Sequence, residues 1–158
     1  MKKSNAVKQL EMDLWQHECD MHPALVQHAS ETPFPMQAYI PMPSREDTSA
    51  NGLSRCIIDF IKLRGGQAER ISITGIPTKK RDVYGNTIWR TSHMTVGTAD
   101  ISATIHGCSV KIEVKAGADR QSDTQRKYQA DIERAGGLYY IARDFESFVE
   151  WYINTFKK

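Results

Sequence analysis

Cysteine is scarce in this chain, which argues against a disulfide-stabilised protein. Only three cysteines, Cys19, Cys56 and Cys108, occur in 158 residues, and they are scattered. An odd, scattered set does not make a disulfide framework, so we predict reduced and partly buried thiols. Long apolar runs are also missing, and Met1 is followed by polar and charged residues rather than by the core of a signal peptide. These absences favour a globular, cytoplasmic protein.

Proline is almost absent from the C-terminal two thirds, because five of the six prolines precede residue 44. Proline fixes φ and removes a backbone donor, so the stretch from Pro23 to Pro43 is predicted to be extended and irregular. A short amphipathic helix is predicted before it, from Ser4 to about Cys19, by three apolar residues at helical spacing: Val7, Leu10 and Leu14. We therefore divide the chain into an N-terminal helix and proline-rich arm, residues 1–50, and a regular domain, residues 51–158.

The two parts differ in charge. Residues 1–50 carry four Lys or Arg and seven Asp or Glu, whereas residues 51–158 carry seventeen and twelve, so the net charges are −3 and +5. A basic C-terminal part is compatible with a polyanionic partner such as nucleic acid. An ordinary solvated surface has the same composition, so charge alone leaves both interpretations open.

Residues 51–158 alternate between helical and strand periodicity. Apolar residues at helical spacing from Leu53 to Ile61, closed by Gly65-Gly66, predict a first helix. Residues 69–74 alternate as a strand does, whereas residues 76–96 are polar and basic and predict no clear element. Two alternating segments around His106-Gly107 predict a hairpin, and a helix capped at Ser122, a short apolar strand and a last helix follow. The predicted fold is α/β, a mixed sheet flanked by helices in the order α-β-β-β-α-β-α.

One face of the predicted hairpin carries groups that suit phosphoryl chemistry. If Ile101 and Val114 point to the core, the alternation places Asp100, Glu113 and Lys115 together on the opposite face. Two carboxylates can hold a hard divalent cation such as Mg²⁺, and an ammonium beside them can orient a water or stabilise developing charge. The alternative is a surface hairpin with an exposed Glu–Lys pair.

Three blocks in this region resemble the VRR-NUC family of the PD-(D/E)XK nuclease superfamily. Gly97-Thr98-Ala99-Asp100 resembles the family's G-T-x-D strand, Ile112-Glu113-Val114-Lys115 its E-V-K strand, and Ser122-Asp123-Thr124-Gln125 its S-x-x-Q helix start. The match covers roughly residues 51–151. The resemblance implies a restriction-endonuclease-like αβββαβ core, here with an extra C-terminal helix, and the activity of a Mg²⁺- or Mn²⁺-dependent endodeoxyribonuclease.

The resemblance also implies a role for each matching residue. Asp100 and Glu113 would bind the metal, and the Val114 backbone carbonyl would add a further ligand. Lys115 would position or activate the attacking water. Gln125 would support the site from its helix, although the third position of a capping box is also a structural role.

The chain departs from the family at the helix predicted from Leu53 to Ile61. Many members have a metal-binding glutamate there, whereas this helix has no glutamate near Ser54. Asn51 or Ser54 could help through a water molecule, and Asp59, the only acid of the helix, is expected to face water. The departure bears on the number of metal ions and on the catalytic rate.

Basic and aromatic residues outside these blocks suit contact with DNA. Cations near an aromatic ring can contact phosphates and stack on bases, and Arg or Lys at a helix start can hold phosphates. The candidates are Lys79, Lys80, Arg81, Trp89, Arg90, Arg120, Arg126 and Lys127. The alternative is an ordinary solvated loop and helix face.

The resemblance also implies the substrate and the assembly. Family members without extra domains resemble junction resolvases that act as homodimers on branched DNA, and they are often seen in phage or mobile-element genes. We therefore expect a structure-selective endonuclease of the bacterial cytoplasm, dimeric through its arm or its aromatic end: Phe148, Trp151, Tyr152 and Phe156. The alternatives are a restriction- or recombination-associated nuclease with another DNA substrate and a non-catalytic DNA-binding subunit that keeps the fold.

Overall fold

A computed structural model describes residues 3–71, 76–90, 95–115 and 117–157, apart from the side chains of residues 76–79 and 88–90. Within these ranges the chain is of mixed α/β class, as the sequence predicts, and has one short 3₁₀ helix, Met36–Ala38. The helices are α1 (Asn5–Met21), α2 (Pro23–Ser30), α3 (Ala50–Leu63), α4 (Asp123–Arg134) and α5 (Phe145–Thr155). The strands are β1 (Gln67–Arg70), β2 (Ile76–Arg81), β3 (Thr87–Arg90), β4 (Ile101–Ile105), β5 (Cys108–Val114) and β6 (Leu138–Ala142).

Four strands form one mixed sheet in the order β1-β4-β5-β6. The pairs β1–β4 and β4–β5 are antiparallel, whereas β5 and β6 are parallel, with α4 as the crossover between them. The predicted mixed sheet and the predicted hairpin are both confirmed. His106 and Gly107 both have positive φ, 48° and 82°, as a two-residue hairpin turn of type I′ requires.

The apolar face of the sheet packs against α3 and α5, and α1 packs against these two helices. Ile101, Val110 and Ile112 are fully buried in this core, together with the predicted apolar stripe of α3. The ring of Phe60 meets three rings of α5 edge-on, with centroids 5.1–5.8 Å apart. The idea that the aromatic C-terminal end supplies a dimer interface is therefore wrong for Phe148 and Tyr152, because both are buried in the protein's own core.

The N-terminal part is more helical than the prolines suggest. The helix predicted from Ser4 to about Cys19 is confirmed as α1: the Ser4 hydroxyl caps it by accepting the Val7 N–H, and it ends two residues beyond Cys19. The prediction of an extended chain is wrong for residues 23–30, because Pro23 occupies the first position of α2, where a helix has no N–H bond to lose. Val7 and Leu10 of α1 belong to the same buried cluster as α3 and the sheet. The boundary at residue 50 stays a prediction.

Three further predictions change in detail. The first strand of the sheet begins at Gln67 and ends at Arg70, and the predicted positions 72–74 lie outside the described residues. Residues 76–96 hold β2 and β3, which pair as a separate hairpin. Asp59 does not simply face water, because its carboxylate accepts a 2.7 Å hydrogen bond from Arg45 Nε. In the part of the chain that the structure describes, no helix is both long enough and apolar enough to cross a membrane.

Candidate active site

The register of the β4–β5 hairpin brings Asp100 and Glu113 together. Ile101 pairs with Ile112, so the next pair outward sets Asp100 directly opposite Glu113. Opposed residues share a face, and their Cβ atoms lie about 5 Å apart. Asp100 Oδ2 accepts the N–H of Val114 at 2.9 Å, just where the backbone ladder between the strands ends. The shared polar face that the alternation predicts is therefore present.

Glu113 is a buried carboxylate with one oxygen bonded and one oxygen left over. Glu113 is only 2 % exposed to solvent. Its Oε1 lies 3.0 Å from Lys115 Nζ and accepts a hydrogen bond from Gln125 Nε2. Oε2 is buried and has no hydrogen-bond partner among the described residues. Burial, with Asp100 adding to it, raises the pKa of Glu113 despite its contacts with Lys115 and Gln125. A buried acceptor without a partner is costly, so this oxygen is suited to a ligand such as a cation or a water.

Lys115 is a buried ammonium between two carboxylates. Besides Glu113, it contacts Asp119 Oδ2 at 3.3 Å. Burial alone would lower the pKa of Lys115, but its contacts with the two acids outweigh burial and raise that pKa. The loop that carries Asp119 is held by Arg143, whose Nη1 donates to the carbonyls of Gly117 and Asp119 at 3.4 and 3.3 Å. Lys115 therefore stays charged at neutral pH.

Gln125 both caps helix α4 and contacts Glu113. Its Oε1 accepts the N–H of Ser122 at 2.9 Å, and its own N–H donates to the Ser122 hydroxyl, so the capping box of α4 is complete. Its Nε2 donates at the same time to Glu113. The predicted capping box is confirmed, and the same side chain ties the start of α4 to the buried carboxylate.

Gly97 lets the chain before β4 pass directly over the start of α4. Its φ is +86°, and a Cβ built there would lie 2.5 Å from the Thr124 carbonyl oxygen, a contact that no real side chain makes. Glycine is thus required at this position both for its backbone conformation and for the close approach. Gly97 lies three residues before Asp100. We therefore expect this close contact to help position the Asp100 side chain.

Two neighbours of the site were not predicted. The hydroxyl of Tyr139 on β6 is buried without a hydrogen-bond partner in the described ranges; Gln121 is near but outside bonding geometry. Burial, and then the charge of Glu113, raises the pKa of Tyr139 to about 12. Asp119 is the other. Sequence alternation could have found Tyr139, because it faces the same side of the sheet as Glu113, but Asp119 lies in a loop without a pattern.

Among the described residues, helix α3 places no carboxylate at the site in place of the missing glutamate. Ser54 is buried, and its hydroxyl donates to the Ala50 carbonyl of its own helix at 2.7 Å. Asn51 lines a separate cleft beside Arg45 and Gly52. Among the described residues no group of three or more His, Cys, Asp and Glu side chains is placed to hold a metal. The candidate ligands are therefore two carboxylates and the backbone around them.

The basic segment before the site is a hairpin rather than an irregular loop. Trp89 pairs with Pro77, and Arg90 pairs with Ile76. The side chains of Lys79, Trp89 and Arg90 lie outside the part of the chain that the structure describes. The side chains of Lys80 and Arg81 are exposed. These residues are close in sequence to the candidate site, and their role in DNA binding stays a prediction.

The three cations near α4 differ from one another. Arg126 forms an ion pair with Asp123 and donates to the Gln121 carbonyl at 2.7 Å, so it stabilises the start of the helix. Arg120 and Lys127 are exposed. Lys127 lines a cleft of about 330 Å³ between α4 and Thr95-Val96. Arg126 is thus engaged within its own helix start, whereas Arg120 and Lys127 stay the candidates for contact with a phosphate.

Comparison with protein-family models and with curated protein sequences finds no match for this chain. Membership of a nuclease family therefore stays a prediction from the three sequence blocks.

Proposed function

We propose that this protein is a metal-dependent DNA endonuclease with a restriction-endonuclease-like core of the VRR-NUC type. The observation that carries the proposal is the cluster of Asp100, Glu113 and Lys115 on one face of the β4–β5 hairpin, with a buried oxygen of Glu113 left without a partner. With the β2–β3 hairpin set aside as an insertion, the order α3-β1-β4-β5-α4-β6 supports the proposal, because it agrees with the αβββαβ order that the resemblance implies.

The residues of the cluster suit Mg²⁺ or Mn²⁺. Oε2 of Glu113 and the Asp100 carboxylate are hard oxygen donors on adjacent strands. In an extended strand the N–H and the carbonyl of one residue point the same way, so the Val114 carbonyl points to the side on which its N–H meets Asp100. A metal bound there would lower the pKa of a water and offset the charge of the scissile phosphate.

Each side chain of the cluster has its own proposed role in phosphodiester hydrolysis. The proposed role of Lys115 is to position or activate the attacking water and to stabilise charge on the phosphate, since its contacts with Glu113 and Asp119 favour the charged form of the amine. Gln125 holds Glu113 Oε1, which leaves Oε2 for its ligand, and Asp119 holds Lys115 from the far side. The water oxygen forms the new P–O bond as the bond to the leaving sugar oxygen breaks; the proton that the water loses passes to solvent, and the sugar oxygen takes up a proton from solvent.

The proposed partner is DNA, cut as branched or otherwise structured substrate by a homodimer. One small domain holds one cluster, and symmetric cleavage of a junction needs two clusters facing opposite strands. The basic hairpin β2–β3 and the exposed Arg120 and Lys127 are the cations proposed to hold the backbone. Size-exclusion chromatography with light scattering should give the mass of a dimer. A monomer, free and with junction DNA bound, would refute paired cleavage.

A panel of branched, nicked, flapped and linear DNAs, each with Mg²⁺, with Mn²⁺ and with EDTA, tests the activity. We expect metal-dependent cuts that favour branched DNA, and loss of these cuts by orders of magnitude in Asp100→Asn and Glu113→Gln, with folding retained. Cleavage by folded Glu113→Gln at the wild-type rate would show that the cluster is not the active site.

A second function is a non-catalytic DNA-binding subunit with the same fold. The observation that favours it is helix α3, which has no glutamate, so that among the described residues Asp100 and Glu113 are the only two carboxylates proposed as metal ligands. Tight binding of branched DNA without cleavage in either metal would select this function. The same panel would reveal a restriction- or recombination-type nuclease by preferred cutting of linear DNA.

A further inference from the structure

The β2–β3 hairpin ends in a turn that is fixed by hydrogen bonds. Asp82 Oδ1 accepts the N–H groups of Tyr84 and Asn86, both at 2.9 Å. The Asp82 N–H donates to the Asn86 carbonyl at 2.9 Å, and the Gly85 N–H donates to the Asp82 carbonyl at 3.0 Å. Arg81 Nη1 adds a 2.9 Å bond to the Gly85 carbonyl. The backbone of the tip is therefore held in one conformation by its own contacts.

This ordered tip presents two apolar side chains to solvent. Val83 is 94 % exposed and Tyr84 is 86 % exposed, more than any other large hydrophobic residue in the described ranges. Folding gains almost nothing from burying either side chain. Two adjacent apolar side chains held out from an ordered turn offer an apolar surface to another molecule.

The positive charge around the tip indicates that the molecule contacted by the hairpin is an anion. Residues 76–90 carry four Lys or Arg and one Asp, a net charge of +3 in a fifteen-residue hairpin. The exposed Lys80 and Arg81 lie directly before the tip. A two-stranded ribbon fits the major groove of DNA, where cations on the arms meet phosphates and an apolar tip meets bases. This combination favours DNA over an uncharged protein groove.

The hairpin is inserted in the chain at the candidate active site. It leaves β1 and returns to β4, and these two strands end side by side where the Ile71 N–H donates to the Asp100 carbonyl at 2.7 Å. The six residues of β2 span about 20 Å, which exceeds the ~8.5 Å depth of the major groove. An arm lying on the phosphate backbone can therefore bring its tip to the bases.

We propose that the β2–β3 hairpin is a wedge that inserts Val83 and Tyr84 between bases at the branch point of the DNA, with the Tyr84 ring stacked on an unpaired base. The proposal rests on the proposed function, because it names the feature of the substrate that this nuclease recognises. Insertion requires unstacking, which costs least where bases are already unpaired or unstacked. The wedge therefore accounts for preference for branched over linear DNA without base-specific contacts.

Fluorescence anisotropy in EDTA, where no DNA is cut, measures this preference with a four-way junction and a linear duplex of the same arm sequence. The double variant Val83→Ser/Tyr84→Ser should bind the junction about five- to 150-fold more weakly, the range expected for one lost base–aromatic stack, and the duplex almost unchanged. Tyr84→Phe keeps the ring and should behave as wild type, as should Ile153→Ser, an exposed apolar residue on α5. Lys80→Gln should weaken both DNAs alike and reduce the salt slope.

Three results would overturn the wedge: an undiminished junction preference in the double variant, an equal loss on both DNAs, or tip-dependent binding to phosphatidylserine vesicles in a protein that binds no DNA. Cleavage assays on the same proteins separate the two proposals. Junction preference that depends on the tip, without cleavage in Mg²⁺ or Mn²⁺, would refute the nuclease and leave the wedge. Metal-dependent cleavage with a tip variant equal to wild type on both DNAs would refute the wedge alone.

Discussion

Gly97→Ala tests whether the chain must pass as closely over α4 as the structure shows. A non-glycine residue at φ +86° is strained by about 1–2 kcal/mol, and a methyl group 2.5 Å from the Thr124 carbonyl oxygen forces a shift that costs a further 1–3 kcal/mol or so. The free energy of unfolding should therefore fall by about 2–5 kcal/mol. Urea titration followed by far-UV circular dichroism measures it.

Gly136→Ala is the matched control for this substitution. Gly136 has nearly the same backbone conformation, φ +83°, but a Cβ there would meet nothing within 4 Å. It should lose only the backbone contribution, about 1–2 kcal/mol. The difference between the two variants isolates the contact with Thr124. If both variants lose the same stability, the close approach does not constrain the chain and the placement of Asp100 by Gly97 is wrong.

Two other predictions concern the site, and a third concerns the packing of the cysteines. Burial raises the pKa of Glu113 above its ordinary value of 4.5, so the folded chain keeps the Glu113 proton to a higher pH than the unfolded chain does. The free energy of unfolding, measured in EDTA, should therefore fall as the pH rises from about 4.5 through that raised pKa, and Glu113→Gln should lack this fall. Gln125→Ala and Ser122→Ala should each lose about 1 kcal/mol of helix capping, but only Gln125→Ala should also slow cleavage, since only it frees Glu113. Native protein should react with a thiol reagent at one cysteine, the exposed Cys108, and at all three after denaturation; reaction of every thiol in the native state would contradict the packing.

The parts of the fold that the sequence predicts are those set by local patterns. The β4–β5 hairpin follows from alternation on both sides of two turn residues, and the position of α4 follows from its capping box. Both patterns use residues within a few positions of each other, so no knowledge of the remaining chain is needed. The polar face with Asp100 and Glu113 could be predicted for the same reason.

Features that depend on distant or irregular contacts could not be predicted. The pairing of β2 with β3 shifts register between Pro77 and Arg81, which disrupts the alternation by which a strand is recognised. The ion pair of Arg45 with Asp59 joins a loop to a helix across 14 positions, and no spacing rule connects them. Pro23 was misleading because a proline can begin a helix as well as exclude one.

Cleavage by Lys115→Ala, compared with Lys111→Ala, tests the central claim most directly. Both lysines lie on β5 or at its end and face the same side, but Lys111 donates to the Ser102 hydroxyl at 2.6 Å, whereas Lys115 contacts Glu113 and Asp119. With saturating Mn²⁺ and a branched DNA that the wild type cuts, Lys115→Ala should be slower by about 100-fold or more, and Lys111→Ala should stay close to wild type. Both variants should bind the uncut DNA normally in EDTA. Equal cleavage rates for the two folded variants would contradict the assignment of this cluster as a nuclease active site.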